Sequence, residues 1–290
     1  MHRRDFIQLS SLGFLGLYSC GLPNLKNSNR TLGIQLYTIR DAISEDPEKS
    51  LERLAHLGFT QLEIYGYNGS FFGKTKKEFQ AILKNTGQQV ISSHHTTGML
   101  HAEKRTLLSN WEQSVEDLHD IGAKYMVCSY LFPEERTSEN YRKLPDLLNR
   151  SGETAKQAGI QLAYHNHDFE FEKFDDRQNI YGFILENSSP ELVKMELDLY
   201  WISKAGFDPL AYFEKYPKRF PLWHVKDMKA GSKDFAEIGK GTIDFKRIFE
   251  AREKAGLDYW FLEQDSSDKD IFESIAISKK YISENSFFLK

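Results

Sequence analysis

Cysteine and surplus positive charge are what this sequence has least of. Its 290 residues include only two cysteines, Cys20 and Cys128, too few for a disulfide framework or a cysteine-based zinc site. Lys and Arg number 38 against 42 Asp and Glu, for a formal net charge of -4, and this balance gives no reason to expect a nucleic-acid partner. Low-complexity segments and repeats longer than a strand-helix unit are also missing. The remaining expectation is one large globular domain with a sizeable core.

The N-terminus has the pattern of an export signal. His2-Arg3-Arg4 precedes the mostly apolar segment "FIQLSSLGFLGLY", which gives a charged region and a short hydrophobic region that is too short for a membrane span. "RRDFI" resembles a twin-arginine motif, and "LYSC" ending at Cys20 resembles a lipoprotein cleavage box. We expect a signal peptide over 1–20, a polar linker over 21–30, and an exported periplasmic or membrane-anchored lipoprotein. The alternative is an apolar N-terminus without a sorting role.

From residue 31 onward, short apolar segments alternate with segments of helical periodicity. This alternation favours parallel strands joined by crossover helices. Eight such units, about 30 residues apart, fit a (β/α)8 TIM barrel over 31–290 better than a doubly wound sheet, because no GxGxxG follows the first strand. The predicted strands are 31–38, 61–65, 89–95, 124–130, 160–166, 192–201, 220–227 and 259–264, and the predicted helices include 50–59, 77–87, 110–123, 144–160 and 244–257.

Polar and ionisable side chains gather where the predicted strands end. In a barrel, this end carries the active site. A lone carboxylate in the apolar "MELDLYW" would be costly without a partner, and histidine nitrogens with carboxylate oxygens from separate strands are ligands for Zn, Mn or Co. We therefore expect one divalent ion, although each residue taken singly could be a hydrogen-bonded structural group. The candidate site residues, whether catalytic, substrate-binding or metal-ligating, are Tyr37, Glu63, His94, His165, His167, Asp198, Trp201, His224, Lys226 and Glu263.

The segments "YHNHDFEF", "ELDLYW", "HVKDM", "IGKGTIDF" and "YWFLEQD", in this order, resemble the sugar isomerase and epimerase group with xylose isomerase-like barrels. That group also includes inosose dehydratases and keto-glycoside-cleaving lyases, and the resemblance covers residue 31 to about residue 283. It implies one divalent ion at the top of the barrel, with Asp198, His224 and Glu263 as ligands. The fourth ligand in the group is usually a glutamate at the end of strand five, a place held here by His165.

This departure bears on the reaction that the resemblance implies. In epimerases of the group, the glutamates of strands five and eight bind metal and exchange protons with the substrate on opposite faces. With His165 in place of the first glutamate, exchange by two carboxylates is in question. His165 and His167 share a strand face, so one can bind the ion while the other orients the substrate or moves a proton.

Several residues receive roles with a structural alternative beside them. His167, Glu63 and Glu263 are the candidate bases, and Lys226 could hold a substrate oxyanion; buried ion pairs are the alternative for Glu63 and Lys226. The expected sugar-binding residues are Tyr37, His94 and Trp201, for which ordinary packing is the alternative. Only one of the adjacent His94 and His95 can face the pocket.

The chemistry follows from the expected ion. A divalent metal chelated by a sugar carbonyl and hydroxyl acidifies the carbon-bound proton and stabilises the enediolate. The first hypothesis is a metal-dependent sugar isomerase or epimerase, and the second is a lyase or dehydratase acting on keto-sugars or inososes. A third, of another class, is a non-catalytic sugar-binding lipoprotein. The expected partner is a small-molecule sugar; membrane contact is expected only through lipid at Cys20, and homo-oligomerisation is left open.

Overall fold

Eight parallel strands of the chain close into a barrel. A computed structural model describes residues 31–100, 105–176 and 178–289; the predicted signal peptide, Cys20 and the linker 21–30 lie outside these residues. Around the barrel the strand order is β1-β10-β7-β6-β5-β4-β3-β2, so the (β/α)8 prediction is confirmed. The barrel strands are β1 Leu32–Gln35, β2 Phe59–Ile64, β3 Gln89–Thr96, β4 Tyr125–Tyr130, β5 Gln161–His165, β6 Val193–Asp198, β7 Leu222–Val225 and β10 Tyr259–Leu262.

Helices of varied length connect the strands. No helix among the described residues is long and apolar enough to span a bilayer. Short 3-10 helices lie at Leu36–Ile39, Pro133–Glu135, Phe169–Phe171 and Ser286–Leu289. The α-helices are α1 Arg40–Glu45, α2 Pro47–His56, α3 Lys76–Thr86, α4 Trp111–Asp120, α5 Ser138–Gln157, α6 Ile180–Asn187, α7 Leu199–Lys204, α8 Pro209–Lys215, α9 Phe245–Glu250, α10 Arg252–Ala255 and α11 Ile271–Glu284.

Polar side chains end two strands earlier than the apolar pattern predicts. The predicted strand 192–201 stops at Asp198, whose Oδ1 accepts hydrogen bonds from the backbone N–H groups of Tyr200 (2.8 Å) and Trp201 (2.9 Å) and thereby caps α7. The strand predicted over 31–38 stops at Gln35, whose side chain accepts from Tyr37 N at 3.0 Å. In both places a side-chain oxygen satisfies N–H groups that a new helix leaves unpaired.

The loop after β7 folds around one carboxylate. Two short antiparallel strands, β8 (Asp227–Met228) and β9 (Phe235–Ala236), form a ribbon that the sequence did not predict. Asp227 Oδ2 accepts from Gly239 N and Gly241 N, both at 2.9 Å, and Oδ1 accepts from Met228 N at 2.8 Å and Ile243 N at 3.2 Å. The "IGKGTIDF" segment is thus a turn shaped by hydrogen bonds, and the side chain of its Asp244 caps α9.

Apolar side chains fill the barrel beneath its carboxyl-end mouth. One buried cluster inside the barrel consists of side chains from β3, β4, β5, β7 and β10. In β7, Leu222 and His224 share one face while Trp223 and Val225 share the other, because side chains alternate along a strand. Trp223 stacks on Phe213 of α8 with ring centroids 5.2 Å apart. The inward side chains form a floor, composed of Ile91, Tyr125, Val127, Ala163, Leu222 and Phe261.

Candidate functional site

Ionisable side chains from six barrel strands meet above this floor. Along β6, Glu196 precedes Asp198 and lies on the same face, so the two carboxylates stand at different depths. We call the inner group the deep cluster and the group nearer the mouth the outer cluster; His224 belongs to both. The deep cluster is Glu63, His94, His165, Glu196 and His224, and the outer cluster is Asp198, His224, Lys226, Glu263 and Asp265.

Three imidazoles surround one oxygen of Glu196. Glu196 Oε2 lies 2.7 Å from His94 Nε2, 3.1 Å from His165 Nδ1 and 3.3 Å from His224 Nε2. Glu196 and His224 are fully buried, His165 is 3% exposed, and the side chain of His94 is 11% exposed. Neighbouring strands supply these groups in register, with His165 beside Glu196 and Asp198 beside His224.

Glu63 enters the deep cluster from β2. Its Oε2 lies 2.5 Å from His224 Nε2 and 3.2 Å from His94 Nε2. The same oxygen accepts a hydrogen bond from Gln35 Nε2 at 2.8 Å, so the end of β1 fixes the orientation of the carboxylate. Arg40 is not paired with Glu63 and donates instead to Tyr37 O at 3.3 Å.

An ammonium group occupies the centre of the outer cluster. Lys226 Nζ lies 3.1 Å from Asp198 Oδ2, 2.8 Å from Glu263 Oε2 and 3.1 Å from Asp265 Oδ2. His224 turns its other nitrogen, Nδ1, to Glu263 Oε2 at 2.6 Å. His224 therefore joins the two clusters through its two ring nitrogens.

The electrostatics of the two clusters follow from burial and close opposite charges. Although burial alone would lower it, the carboxylates of Glu63 and Glu196 raise the pKa of His94 to about 9. Burial likewise opposes the charged form of Lys226, yet Asp198 and its neighbouring carboxylates hold the pKa of this ammonium well above its usual range. Burial keeps the pKa of His165 well below its usual range, so this ring is neutral and has a lone pair to share.

His167 stands beside the outer cluster with its ring in an aromatic surround. The ring is nearly parallel to Phe169 (centroids 5.6 Å, interplanar angle 10°) and 5.4 Å from the ring of Trp201. Burial lowers the pKa of His167 to about 3. Its Nδ1 is buried without a hydrogen-bond partner among the described residues. Because His167 also lines the cavity, a neutral imidazole lies within reach of a substrate.

The loop after β5 holds His167 through its backbone. Glu170 accepts from His167 N at 2.8 Å and from the hydroxyl of Tyr164 at 2.7 Å. Asn166 is fully buried, and its Oδ1 accepts from Asp198 N at 3.1 Å, which fixes the neighbouring backbone. Glu170 is likewise fully buried.

A cavity of about 880 Å³ opens over both clusters. Its volume lies within the range usual for small-molecule sites. His94 faces the deep cluster, whereas the ring of His95 packs edge-on against Trp111 at 5.2 Å. Both histidines nevertheless border the cavity, so the expectation that only one can face the pocket was wrong; only His94 reaches the ionisable clusters. The described aromatic side chains that line the cavity are Tyr37, Tyr65, Tyr67, Tyr130, Phe132, Phe169 and Trp201.

The four ligands implied by the family resemblance fall into two different groups of donor atoms in the structure. The donor atoms of Asp198, His224 and Glu263 lie within 4.8 Å of one another, while those of His165 group within the same limit with His94, Glu196 and His224. Glu196 was absent from the sequence-based candidates. Its position two residues before Asp198 on one strand was the available signal, because alternation places both on one face.

Both clusters have donor atoms suited to a divalent metal ion. Imidazole nitrogens with carboxylate oxygens match Zn, Mn or Co. In the outer cluster, however, the Lys226 ammonium already neutralises the carboxylates of Asp198 and Glu263. In the deep cluster, Oε1 of Glu63 and of Glu196 are buried without a hydrogen-bond partner among the described residues. Oδ2 of Asp198 in the outer cluster also has no hydrogen bond, but it forms an ion pair with Lys226. The donor set fits a bound ion, and His224 is common to either placement.

Residues 51–281 match the family described as xylose isomerase-like TIM barrel. The chain belongs to this family. An inosose dehydratase from Lacticaseibacillus casei is 30% identical over 277 residues, covering 81% of this chain and 91% of the relative. A sugar phosphate isomerase/epimerase structure from Parabacteroides distasonis shares 27% identity with a TM-score of 0.76, covering 94% of this chain and all (100%) of that one.

A third comparison concerns the fold of this xylose isomerase-like barrel. The structure of the IOLI protein with a bound zinc atom covers 89% of this chain and 99% of its own, with a TM-score of 0.69. At 14% identity it shows a shared architecture. The zinc is a property of that protein.

Proposed function

We propose that the chain is a divalent-metal-dependent enzyme that removes a proton beside the carbonyl of a keto-sugar or inosose and then eliminates a group from the β-carbon. The similarity to an inosose dehydratase and to a sugar phosphate isomerase/epimerase supports an enzyme that acts on sugars. The observation that carries the choice of elimination is His165, which stands where the epimerases of the group have a second proton-exchanging glutamate and whose Nδ1 faces Glu196.

Substrate binding is assigned to the aromatic lining of the cavity. Tyr37 lies at the rim, 42% exposed, with its ring 5.2 Å from Tyr65, and Trp201 lies deeper beside His167. Flat aromatic faces pack on the C–H face of a sugar and leave its hydroxyls to polar groups. This arrangement accommodates a sugar ring across the mouth with its carbonyl directed toward Lys226.

Proton transfer is assigned to His167 and charge stabilisation to Lys226. His167 accepts the proton from the carbon beside the carbonyl, and the Lys226 ammonium stabilises the enolate oxygen that develops. The enolate then forms a carbon-carbon double bond as the C–O bond at the β-carbon breaks. The departing oxygen takes the electron pair of that bond and receives the proton from His167. The products are an unsaturated ketone and water, or an alcohol if a glycosidic oxygen leaves.

The ion contributes one element of this scheme. A divalent metal held at His224 would act as a Lewis acid toward the substrate oxygens. Glu63, fixed by Gln35 at 2.8 Å, keeps a negative charge against His224. The apolar floor below the clusters excludes water from this side of the reaction.

A second candidate, sugar isomerisation or epimerisation, is favoured by a separate observation. Glu63 and Glu263 contact the two different nitrogens of His224, at 2.5 and 2.6 Å. Two carboxylates therefore stand on different sides of one imidazole, and both were predicted as candidate bases. If both reached the substrate, they could return the proton to another position or face.

Proton NMR in deuterated water tests the proposal. The metal-loaded protein is incubated with inososes, 3-keto-glycosides and free sugars. Elimination predicts vinyl signals of an unsaturated ketone, or a released aglycone. Deuterium in an otherwise intact sugar skeleton would instead establish the isomerase or epimerase. No change with any compound, despite bound metal, would contradict both enzymes and support the sugar-binding hypothesis.

A further inference from the structure

The spacing of donor atoms distinguishes the two clusters as metal sites. With metal-ligand bonds of 2.0 to 2.1 Å, two ligand atoms on a tetrahedral ion lie about 3.3 Å apart. In the deep cluster, Glu196 Oε2 lies 2.7, 3.1 and 3.3 Å from nitrogens of His94, His165 and His224. One carboxylate oxygen thus has three imidazole nitrogens near the distance that a shared ion requires.

In the part of the chain that the structure describes, the buried carboxylates of the deep cluster form ion pairs with imidazoles alone. Among the described residues, no lysine or arginine forms an ion pair with Glu63 or Glu196, although both side chains are fully buried. Their only ionisable contacts are imidazoles. Although burial opposes the charged form, these carboxylates raise the pKa of both His94 and His224, so imidazolium protons compensate the buried charge when no metal is bound. Each carboxylate still has a buried oxygen with no hydrogen-bond partner among the described residues. A divalent ion among the three imidazoles would replace these protons and compensate both carboxylates together.

The outer cluster already has its cation. Lys226 Nζ lies within 3.1 Å of carboxylate oxygens of Asp198, Glu263 and Asp265. A metal ion at the same place would have to displace the ammonium or bind beside it against the repulsion between two positive charges. Lys226 is only 1% exposed, so it has little room to move away.

We propose that the divalent ion binds in the deep cluster, with His94, His165, Glu196 and His224 as its ligands, and that Lys226 takes the cation position of the outer cluster. This inference rests on the proposed function for the presence of an ion and adds where the ion lies. It introduces His94 and Glu196 as ligands and leaves Asp198 and Glu263 to orient Lys226. Asp198 also caps α7 through its Oδ1, which leaves Oδ2 for the ammonium.

Strand β6 offers a matched pair of variants. Glu196→Gln and Asp198→Asn make the same change, carboxylate to amide, two residues apart on one face. The full-length chain without a histidine tag is stripped with a chelator, and its binding of Zn²⁺ and of Mn²⁺ is measured by equilibrium dialysis. We expect Glu196→Gln to weaken binding by about 100-fold or more, and Asp198→Asn to bind like the unchanged protein.

His94→Gln provides an independent variant, because His94 lies outside the ligand set implied by the family resemblance. Its side chain reaches the cavity, so the substitution should be tolerated even if Glu196→Gln fails to fold; circular dichroism checks both. We expect weaker metal binding and an altered visible spectrum of bound Co²⁺, since a nitrogen ligand is lost. Unchanged binding in His94→Gln would overturn the proposal, as would weaker binding in Asp198→Asn.

Metal binding and the reaction are measured separately, so the two proposals can fail separately. If only Glu196→Gln and His94→Gln lose the ion, and the unchanged protein converts no keto-sugar, the metal site is supported and the proposed function is contradicted. If Asp198→Asn loses the ion, His94→Gln keeps it, and the unchanged protein carries out elimination, the proposed function stands and the deep metal site is contradicted.

Discussion

His167 is the side chain on which proton transfer depends in the proposed reaction. We expect His167→Asn to lower kcat by roughly 100-fold or more and to leave metal stoichiometry unchanged, because His167 lines the cavity and lies outside both clusters. Steady-state kinetics with equilibrium dialysis measures both. His119→Asn, at a largely exposed histidine of α4, is the control. Full activity in His167→Asn would assign the proton transfer to Glu63 or Glu263.

Glu170 should make folding stability depend on pH. Burial raises its pKa to about 7 from an ordinary value of 4.5. Between these two values the folded protein keeps a proton that the unfolded chain releases, so the free energy of unfolding falls as pH rises through this window, by on the order of 2 kcal/mol. Urea unfolding from pH 4.5 to 7 should show a flatter profile for Glu170→Gln.

The exposed Glu172 is the control for this pH profile. Glu172→Gln changes the same chemical group two residues along the chain, outside the buried hydrogen bonds to Tyr164 and His167. Its unfolding profile should keep the slope of the unchanged protein. An equal flattening in both variants would mean that burial of Glu170 is not the cause.

At the scale of the element, α5 depends on a glycine. A Cβ at Gly152 would lie 2.5 Å from the backbone oxygen of Leu192, so the helix approaches the start of β6 with no space for a side chain. Gly152→Ala should destabilise by about 1 to 3 kcal/mol, even though alanine favours a helix by about 1 kcal/mol. Chemical denaturation measures this. Glu153→Ala, exposed on the same helix, should change stability by less than about 0.5 kcal/mol.

The strands were predictable because apolar runs bounded by polar residues report burial directly. Each barrel strand overlaps its predicted segment, and the largest differences are at the carboxyl ends of β1 and β6, where Gln35 and Asp198 cap the following helix. The β8 and β9 ribbon was not predictable, since its two-residue strands are too short for a periodic pattern. The hydrogen bonds of Asp227 to backbone N–H groups likewise depend on contacts that sequence spacing does not report.

The predicted strand ends identified most of the side chains that meet at the site, but they did not predict that these side chains form a deep and an outer cluster. His224, His165 and Lys226 all lie where the barrel places strand ends. The depth of Glu196 relative to Asp198, and the position of the Lys226 ammonium among carboxylates, depend on side-chain rotamers and inter-strand register. Neither can be obtained from one sequence.

At the scale of the whole molecule, export and lipidation remain predictions for residues 1–20. If Cys20 carries the lipid, Cys20→Ser should abolish incorporation of a labelled fatty acid and release the protein from the membrane fraction. Cys128→Ala is the matched control, since Cys128 is buried in β4 and should leave labelling unchanged. Labelling of Cys20→Ser would place the modification elsewhere.

The four hydrogen bonds of Asp227 hold the loop after β7 by its backbone and not by its side chains. Residues 237–243 are attached to Asp227 through backbone N–H groups, which almost any residue supplies. The exceptions are Gly241, where a Cβ would lie 2.2 Å from Asp227 Oδ1, and Gly239, where it would lie 2.3 Å from the ring of Tyr281. A lineage could therefore vary the exposed side chains of this loop while both ionisable clusters are inherited intact.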